Sequence, residues 1–392
     1  MLLLGWICFF VGWGCSLIWL AYLVPAYRYL RTHWLQEVSD RLPHPINDPF
    51  LSVIVPARNE APQIEAGLKS LLASDYPRLE IIAVNDRSTD GTGETMHRVA
   101  SSDSRLRVLE IQELPSDWLG KNHAMQRGAE LARGELILFT DGDVIFDPTA
   151  LSRAVRVFLA EDLDHLALFP RMIPGSYLET AFVCFFGMLF MMGTRSSQVR
   201  GPSLKAYAGV GAFNLVKANS YRTCGGHEPL RLEVLDDVML GKMMKHSGFR
   251  QDVLLAGTLV QVRWQHSVWG VVQGLEKNAF ASVQFSYLKL IAALSFLFLL
   301  TFLPLLGSLF CPVGAASGFY AALAVMLLGY GYVCYRLTGK WRYAPAVWIA
   351  SLLFQGAYIR SCWITFRRGG VRWRETFYPL ALLRANVYRG RD

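Results

Sequence analysis

Two long runs without charged residues lie near the ends of the chain. Residues 1–27 contain no Asp, Glu, Lys or Arg, and 2–24 is long enough to cross a hydrocarbon core as a helix. The first basic residues, Arg28 and Arg31, follow this run, which favours a retained anchor over a cleaved signal peptide. Residues 290–335 contain 46 uncharged residues, enough for two crossings with a break near 304–318. The pattern therefore predicts transmembrane helices at both ends.

Two further apolar segments allow more than one interpretation. Segment 343–366 is interrupted by Arg360, so it either spans the membrane or lies at its surface. Segment 181–193 has only 13 residues, which favours an interfacial or core helix. If the middle of the chain is cytoplasmic, an outward and a returning helix leave Arg336 and Arg342 inside, as the positive-inside rule prefers. We therefore predict three spans plus an interfacial helix, in an integral protein of a bacterial inner membrane.

The uncharged runs divide the chain into four predicted parts. These are an N-terminal anchor (1–27), a cytoplasmic domain (28–289), a C-terminal membrane region (290–366) and a basic tail (367–392). The cytoplasmic domain contains four short apolar runs typical of strands buried on both faces, at 51–55, 81–84, 136–139 and 166–169. Helical patterns lie between them, at 61–73, 92–100, 122–132 and 148–159. This alternation predicts an α/β fold with a largely parallel, doubly wound sheet.

Polar side chains follow three of the predicted strands. In such a sheet, ligands bind beyond the carboxyl ends of the strands, so we expect these side chains to lie at one edge. They are Pro56, Asn59 and Glu60 after the first run, Asp86 after the second, and Asp141 and Asp143 after the third.

The motif Asp141-Gly-Asp143 suits a hard cation, because Mg²⁺ typically takes one or two carboxylates and leaves its other positions to water and phosphates. Taken alone, the motif is more typical of a solvated turn; its position opposite Asp86 favours the cation. Asp86 is a candidate helix cap, but Ser88 and Asp90 are better placed for capping, which leaves Asp86 for a ligand.

Three further positions each have a functional and an ordinary interpretation. Lys121 opens a predicted helix, where it either assists phosphate binding or is a surface lysine. Of Asp236 and Asp237, helix capping explains one; adjacent carboxylates also suit a general base whose pKa is raised by its neighbour. Arg263 and Trp264 suit a pyrophosphate and a sugar, or an interfacial pair near a membrane.

The composition narrows the classes of partner. The 392 residues are 53% hydrophobic and 18% charged, which excludes a disordered protein. The net charge is +8, but this charge is unevenly distributed. Residues 336–392 contain 11 basic and 2 acidic residues, whereas residues 1–289 contain 28 basic and 29 acidic residues. The excess indicates an anionic lipid surface and gives no support to nucleic-acid binding. The seven cysteines, without a C-x-x-C motif, are interpreted as small core hydrophobes and not as a disulfide framework.

The ordered set of motifs over residues 48–285 resembles membrane-anchored family 2 glycosyltransferases with a GT-A type, Rossmann-like domain. The motifs are Ser52-Val-Ile-Val-Pro-Ala-Arg-Asn-Glu60, Val84-Asn-Asp-Arg-Ser-Thr-Asp-Gly-Thr92, Trp118-Leu-Gly-Lys-Asn122, Phe139-Thr-Asp-Gly-Asp143, Asp236-Asp237 and Arg263-Trp264. The motif at 118–122 and the later Lys277-Asn-Ala-Phe280 are similar to the branch that glycosylates lipids such as carotenoid acids, hopanoids and ceramide-like acceptors.

The resemblance implies a role for each matched residue. Asp86 would hold the nucleoside part of a nucleotide sugar. Asp141 and Asp143 would place Mg²⁺ or Mn²⁺ on the diphosphate, with Asp143 as the principal ligand. Asp237 would be the catalytic base. The other expected donor-site residues are Pro56, Asn59, Glu60 and Lys121, and the expected acceptor or pyrophosphate residues are Asp236, Arg263 and Trp264.

The implied reaction is a single inverting displacement that moves a sugar from a nucleotide sugar to a lipid acceptor at the bilayer. Processive polysaccharide synthases carry Gln-x-x-Arg-Trp, whereas here Gln261 is one residue too close to Arg263, which argues against polymer synthesis. The alternatives are a polyprenyl-phosphate sugar synthase, a polysaccharide synthase and a catalytically silent membrane scaffold.

Overall fold

The structure, a computed structural model, describes residues 2–373 and 376–390. Parts of the predicted anchor (residue 1) and basic tail (residues 374, 375, 391 and 392) lie outside the described residues. The helices are α1 (Leu2–Thr32), α2 (Leu35–Ser39), α3 (Ala61–Leu72), α4 (Thr92–Ala100), α5 (Gly120–Leu131), α6 (Ala150–Ala160), α7 (Tyr177–Gly193), α8 (Ala218–Thr223), α9 (Asp236–His246), α10 (Val268–Ser282), α11 (Tyr287–Phe310), α12 (Ser317–Thr338), α13 (Val347–Arg368) and α14 (Leu380–Ala385). The strands are β1 (Leu51–Ala57), β2 (Leu79–Asp86), β3 (Leu106–Ile111), β4 (Leu136–Phe139), β5 (Val144–Phe146), β6 (His165–Met172), β7 (Asn214–Lys217), β8 (Gln251–Val262), β9 (Gly370–Trp373) and β10 (Thr376–Pro379).

The chain divides into two compact units. The sheet unit comprises Thr32–Ile173, Thr194–Arg263 and Ala385–Asp392, and the helical unit comprises Met1–Arg31, Pro174–Gly193 and Trp264–Arg384. Residues 174–193 and 264–289, which the sequence placed in the cytoplasmic domain, therefore belong to the helical unit. Their helices α7 and α10 pack against α13, which explains why they join the helical unit.

The sheet unit is built on one eight-stranded mixed sheet with the order β3-β2-β1-β4-β7-β6-β8-β5. Strands β1 to β4 pair in parallel, as do β6 and β8, whereas β7 is antiparallel to both β4 and β6 and β5 is antiparallel to β8. The prediction of a largely parallel sheet therefore holds for the first half of the unit. The polar ends of β1, β2 and β4 all lie at the same edge, because these strands run in the same direction.

Both faces of the sheet are covered, which explains the continuous apolar runs in the sequence. Alternate residues of β1, such as Val53 and Ile54, belong to different hydrophobic clusters. One cluster includes side chains of α3, α4 and α6, and the other includes side chains of α5, α8 and α9. A strand buried on both faces needs apolar residues at every position, so its sequence shows no polar alternation.

Among the described residues of the chain, four helical segments are long and apolar enough to cross a membrane. They are Leu3–Thr32, Tyr177–Gln198, Tyr287–Phe310 and Ser317–Thr338. The second contains segment 181–193, which we expected to be too short to span. Its helix begins four residues earlier, with Glu179 buried in the first turn. The flanking strands β6 and β7 pair in one sheet, so α7 does not make a single crossing between them. Helix α13, which covers much of the ambiguous segment 343–366, is not among the four.

Candidate active site

The loops after β1 and β2 are tied together by hydrogen bonds of Asn59 and Glu60. The Asn59 side-chain oxygen accepts a hydrogen bond from the Thr89 N–H at 2.8 Å, and the Glu60 N–H donates to Thr92 Oγ1 at 2.8 Å. Asn59 has a φ of 54°, a left-handed conformation that asparagine tolerates better than most residues. Asn59 and Glu60 thus fix the edge of the sheet where the site is expected.

Asp86, the last residue of β2, is almost fully buried and already has basic partners. Arg87 donates to both of its oxygens, at 2.7 and 3.0 Å, and Arg58 lies 4.0 Å away. A bidentate guanidinium holds a carboxylate in one orientation. Arg87 therefore holds the carboxylate of Asp86, the residue expected to bind the nucleoside, in one orientation at the end of β2.

A pocket at the carboxyl ends of β1 and β4 brings together several of the predicted site residues. Lys121 Nζ lies 2.7 Å from Asp141 Oδ1 and 3.4 Å from Asp236 Oδ2. The three carboxylates of Asp141, Asp236 and Asp237 hold the pKa of Lys121 well above its ordinary value, although burial opposes this shift. The residues that line the pocket are Pro56, Lys121, Met125, Phe139, Thr140, Asp141, Gly211, Asn214, His227, Asp236, Asp237 and Leu240.

Asp237, in the first turn of α9, is held by backbone donors. Its Oδ2 accepts a hydrogen bond from the Gly211 N–H at 2.8 Å, and its Oδ1 accepts one from the Val238 N–H at 2.8 Å. Burial and the neighbouring charge of Asp236 raise the pKa of the Asp237 carboxyl to about 6, although Lys121 opposes the shift. A carboxyl with a pKa near neutrality suits general-base catalysis.

Gly211 connects the two carboxylates of the pocket. Its carbonyl accepts a hydrogen bond from the Asp141 N–H at 3.1 Å, while its own N–H binds Asp237. A Cβ at this position would lie 2.7 Å from Asp141 Oδ2 and 3.5 Å from Asp237 Oδ2. Only glycine leaves both carboxylates where they are. Gly211 was not among the residues predicted for the site, and its one signal in the sequence is the Gly209-x-Gly211 pattern.

The motif at 118–122 is tied to the loop that leads into α9. The Asn122 side-chain amide donates to the carbonyls of Leu230 and Glu233, at 2.5 and 3.0 Å. The Leu119 N–H donates to the Arg231 carbonyl at 2.7 Å. The same short segment therefore supplies Lys121 to the pocket and positions the loop before Asp236.

His227 lines the pocket but was not predicted as a site residue. Its ring shares a 2.7 Å hydrogen bond with the Tyr221 hydroxyl and stands edge-on to Phe139. Burial, with the charge of Lys121 as the second cause, lowers the pKa of the His227 imidazole to about 3. The ring is therefore neutral at pH 7. Its sequence signal is weak, since a single histidine after two glycines matches no metal motif.

The remaining predicted residues lie outside the lining of this pocket. Glu60 is beside the Asp141-Gly-Asp143 turn, since a Cβ placed on Gly142 would lie 2.8 Å from Glu60 Oε2. Arg263 ends the sheet unit, and its Nη1 donates to the Ile173 carbonyl at 3.5 Å. Trp264 belongs to the helical unit and stacks on Phe186 with 4.8 Å between ring centroids.

The donor set is suited to the divalent metal that the resemblance implies. In the part of the chain that the structure describes, no three His, Cys, Asp or Glu side chains gather as a complete metal site. Asp141 nevertheless lines the pocket, and Asp143 follows two residues later in the turn between β4 and β5. Mg²⁺ commonly uses only one or two protein carboxylates and completes its shell with water and substrate phosphates. These carboxylates therefore fit a cation that arrives with a diphosphate.

Comparison with known proteins identifies one segment of the chain. Residues 52–220 match the family model described as glycosyl transferase family 2. This segment is a family 2 glycosyltransferase domain. The domain holds Asp86, Lys121, Asp141 and Asp143, whereas Asp236 and Asp237 follow the matched segment.

Two further similarities describe larger parts of the chain. It is 27% identical over 197 residues to the 4,4'-diaponeurosporenoate glycosyltransferase of Staphylococcus aureus (strain USA300), covering 50% of this chain and 51% of that protein. The chain thus spans about half the length of the curated relatives it matches. A mannosyltransferase from Pyrobaculum calidifontis, solved in complex with GDP-Man and Mn²⁺, superposes with a TM-score of 0.53 at 20% identity, over 90% of this chain and 99% of that one. This likeness confirms the predicted GT-A type fold of the glycosyltransferase domain.

Proposed function

We propose that the protein is a metal-dependent, inverting glycosyltransferase that transfers a sugar from a nucleotide sugar to a lipid acceptor. The observation that carries the proposal is the position of Asp237, held by two backbone N–H groups in a pocket with Lys121 and Asp141. A carboxylate fixed in this way is ready to accept a proton from an acceptor hydroxyl as that hydroxyl attacks the sugar.

The other charged residues of the pocket have complementary roles. Asp141 and Asp143 would hold the Mg²⁺ or Mn²⁺ ion, which when bound supplies positive charge to the departing diphosphate. Lys121 adds a fixed positive charge and keeps Asp141 and Asp236 in place. Asp86, oriented by Arg87, would contact the nucleoside. Pro56, Asn59 and Glu60 shape the edge of the donor site.

A lipid acceptor is supported by two observations. Four helical segments have the length and composition of membrane spans, and the matched Staphylococcus aureus protein is named for the glycosylation of 4,4'-diaponeurosporenoate. We further propose that the glycosyltransferase domain faces the cytoplasm, where nucleotide sugars are available. Arg263 and Trp264 would serve the acceptor or pyrophosphate from the segment that joins the two units.

The test measures release of nucleoside diphosphate by the full chain in detergent, with Mn²⁺ or Mg²⁺, a set of nucleotide sugars and a host lipid extract. We expect release that depends on the lipid extract and falls at least a hundredfold in Asp237→Asn. The matched control is Asp162→Asn, since Asp162 is an exposed carboxylate that pairs with Arg250 on the surface.

Three outcomes separate the proposal from its alternatives. Absence of release from every donor contradicts glycosyl transfer. Full activity of Asp237→Asn contradicts the assigned base and favours a polyprenyl-phosphate acceptor, which is already anionic and needs no base. Long chains formed from the donor alone indicate a polysaccharide synthase.

The metal assignment is tested separately by binding. We expect Mn²⁺ to bind the wild-type protein in the presence of a nucleoside diphosphate, measured by titration calorimetry without any acceptor. Asp143→Ala should weaken this binding at least tenfold, while Asp162→Ala leaves it unchanged. Equal binding by Asp143→Ala would exclude Asp143 as the principal ligand.

A further inference from the structure

Two cysteines that are far apart in the sequence meet in the helical unit. The Sγ atoms of Cys8 in α1 and Cys311, the residue after α11, are 2.7 Å apart. A disulfide bond measures about 2.05 Å, so the two sulfur atoms need to approach by less than about 1 Å to be joined. Both side chains are partly exposed, unlike the buried Cys15 and Cys184.

Contacts of α1 that do not involve the two thiols hold Cys8 close to Cys311. The Trp19 indole N–H donates to the Leu300 carbonyl at 3.1 Å, and the Ser16 hydroxyl donates to the Gly318 carbonyl at 2.8 Å. A Cβ at Gly318 would lie 2.3 Å from the Trp13 N, so the backbones of α1 and α12 are in direct contact. Small residues permit such close approach between helices in a membrane. Three contacts therefore set the register that places Cys8 beside Cys311.

The charges of these helices lie at the opposite end from the two thiols. Arg28 and Arg31 end α1, Lys289 is in the first turn of α11, and Arg336 is in the last turn of α12. The rings of Tyr27 and Tyr332, 4.8 Å apart, bring the charged ends of α1 and α12 together. By the positive-inside rule, the charged end faces the cytoplasm and the thiol end faces the other side. Disulfides persist on that side, away from cytosolic thiols.

We propose that Cys8 and Cys311 form a disulfide bond that links α1 to the loop between α11 and α12. In this reaction the two thiols lose two protons and two electrons and one S–S bond forms. The oxidant is the disulfide of a thiol–disulfide oxidoreductase on the outer side, which accepts both electrons and leaves as a dithiol. The bond would close a covalent loop over residues 8–311.

A second pair of cysteines provides an internal comparison. Cys184 in α7 and Cys334 in α12 are hydrogen-bonded to each other, but both are almost fully buried. Thiol–disulfide exchange requires that the attacking thiolate reach the sulfur atom, so an oxidant has access to Cys8 and Cys311 and not to this pair. The proposal therefore assigns the cross-link to one pair only.

The experiment counts free thiols in the full chain expressed in a cell with an oxidising outer compartment. Cells are quenched in acid, the protein is denatured, and thiols are alkylated with a polyethylene-glycol maleimide before and after reduction. With seven cysteines in the chain, we expect five labelled thiols before reduction and seven after it. Mass spectrometry should find a peptide pair joined through Cys8 and Cys311.

Single variants identify the pair. In Cys8→Ser and in Cys311→Ser, reduction should add no label, whereas in the matched control Cys362→Ser it should still add two. Seven labelled thiols in the unreduced wild-type protein would overturn the proposal. So would a reducible pair that persists in Cys8→Ser and disappears in Cys184→Ser.

Discussion

At the residue scale, the pocket depends on one cation among three carboxylates. Lys121 contacts Asp141 and Asp236, and its charge also counteracts the rise in the pKa of Asp237. Removing one member of a buried ion pair leaves a buried charge without compensation. The free-energy cost of that charge usually exceeds what the ion pair contributed to stability. Lys121 is therefore expected to matter both for the stability of the pocket and for activity.

Substitution of Lys121 tests this expectation. We predict that Lys121→Met lowers nucleoside diphosphate release at least tenfold and also lowers the thermal midpoint, because Asp141 and Asp236 then repel each other. The control is Lys217→Met, an exposed lysine at the end of β7. Equal activity of Lys121→Met and wild type would show that the ammonium group is not needed in the pocket.

Gly211 offers a test of geometry without a change of charge. We predict that Gly211→Ala lowers activity at least tenfold while the protein still folds, because the added methyl group displaces the Asp141 carboxylate, 2.7 Å away, or shifts Asp237. Gly356→Ala is the matched control, since a Cβ there would meet nothing within 4 Å. Activity assays and thermal midpoints of both variants decide the question. A fully active Gly211→Ala would mean that the carboxylates tolerate displacement.

His165 gives a prediction for the pH dependence of stability. Its ring contacts Asn214 at 3.1 Å and the side chain of Gln251, in the interior of the sheet. Burial lowers the pKa of His165 to about 4, although the hydrogen bond to Asn214 opposes the shift. In the unfolded chain the pKa is near 6.5. A neutral His165 is therefore fully stabilising above about pH 6.5, and about 3 kcal/mol is lost as the pH falls to about 4.

We expect this loss to appear as a fall in the thermal midpoint of the wild-type protein between those two pH values. His165→Gln keeps a hydrogen-bonding side chain that does not titrate, so its midpoint should fall less over the same range, even if it starts lower. Thermal melts of both proteins in one detergent give the comparison. Parallel pH profiles would show that His165 does not charge on unfolding.

At the element scale, the sequence predicted four of the strands that are buried on both faces, β1, β2, β4 and β6. The apolar runs at 51–55, 81–84 and 136–139 lie within β1, β2 and β4, and the helical patterns at 61–73 and 92–100 correspond to α3 and α4. A strand buried on both faces is recognisable in the sequence because nearly all of its residues are apolar. Strands β3, β5, β7 and β8 were not predicted; β3 has partly exposed residues along its middle, and β5 has only three residues.

Site residues that follow these strands could be predicted from the sequence. Site residues that reach the pocket from distant segments of the chain could not. Asp141 is the second residue after β4, so its place at the sheet edge could be predicted from the order of the chain. Gly211 and His227 enter the pocket through loops whose paths depend on tertiary packing. Asn122 was part of a recognised motif, but its contacts with the Leu230 and Glu233 carbonyls, more than 100 residues away, leave no local pattern.

The contact of α1 with α12 yields a prediction about helix packing. We predict that Gly318→Leu loosens α1, because its side chain has no room beside the Trp13 backbone. The expected result is a thermal midpoint lowered by several degrees in detergent. The control is Gly14→Leu. Gly14 lies on α1 next to Trp13, but a Cβ there meets nothing within 4 Å. Equal midpoints for the two variants would contradict the packing.

At the scale of the whole molecule, the helical unit exposes side chains that water does not solvate well. Leu288 and Phe310, at the two ends of α11, are 78% and 81% exposed, and Ile291 and Leu309 are more than half exposed. Contiguous exposed apolar surface in a soluble protein is a liability for aggregation, whereas lipid tails cover it without cost. The surface of α11 is therefore better explained by contact with a bilayer than with water.

Membrane extraction distinguishes a chain that spans the bilayer from one that binds its surface through basic residues. We predict that the protein stays with the membrane in high salt and in alkaline carbonate and is released only by detergent. Salt weakens surface electrostatic attraction within a Debye length, but it does not weaken burial of apolar helices. Release by salt would assign membrane binding to the basic C-terminal residues. Release by carbonate alone would mean that the apolar segments lie on the surface of the bilayer and do not cross it.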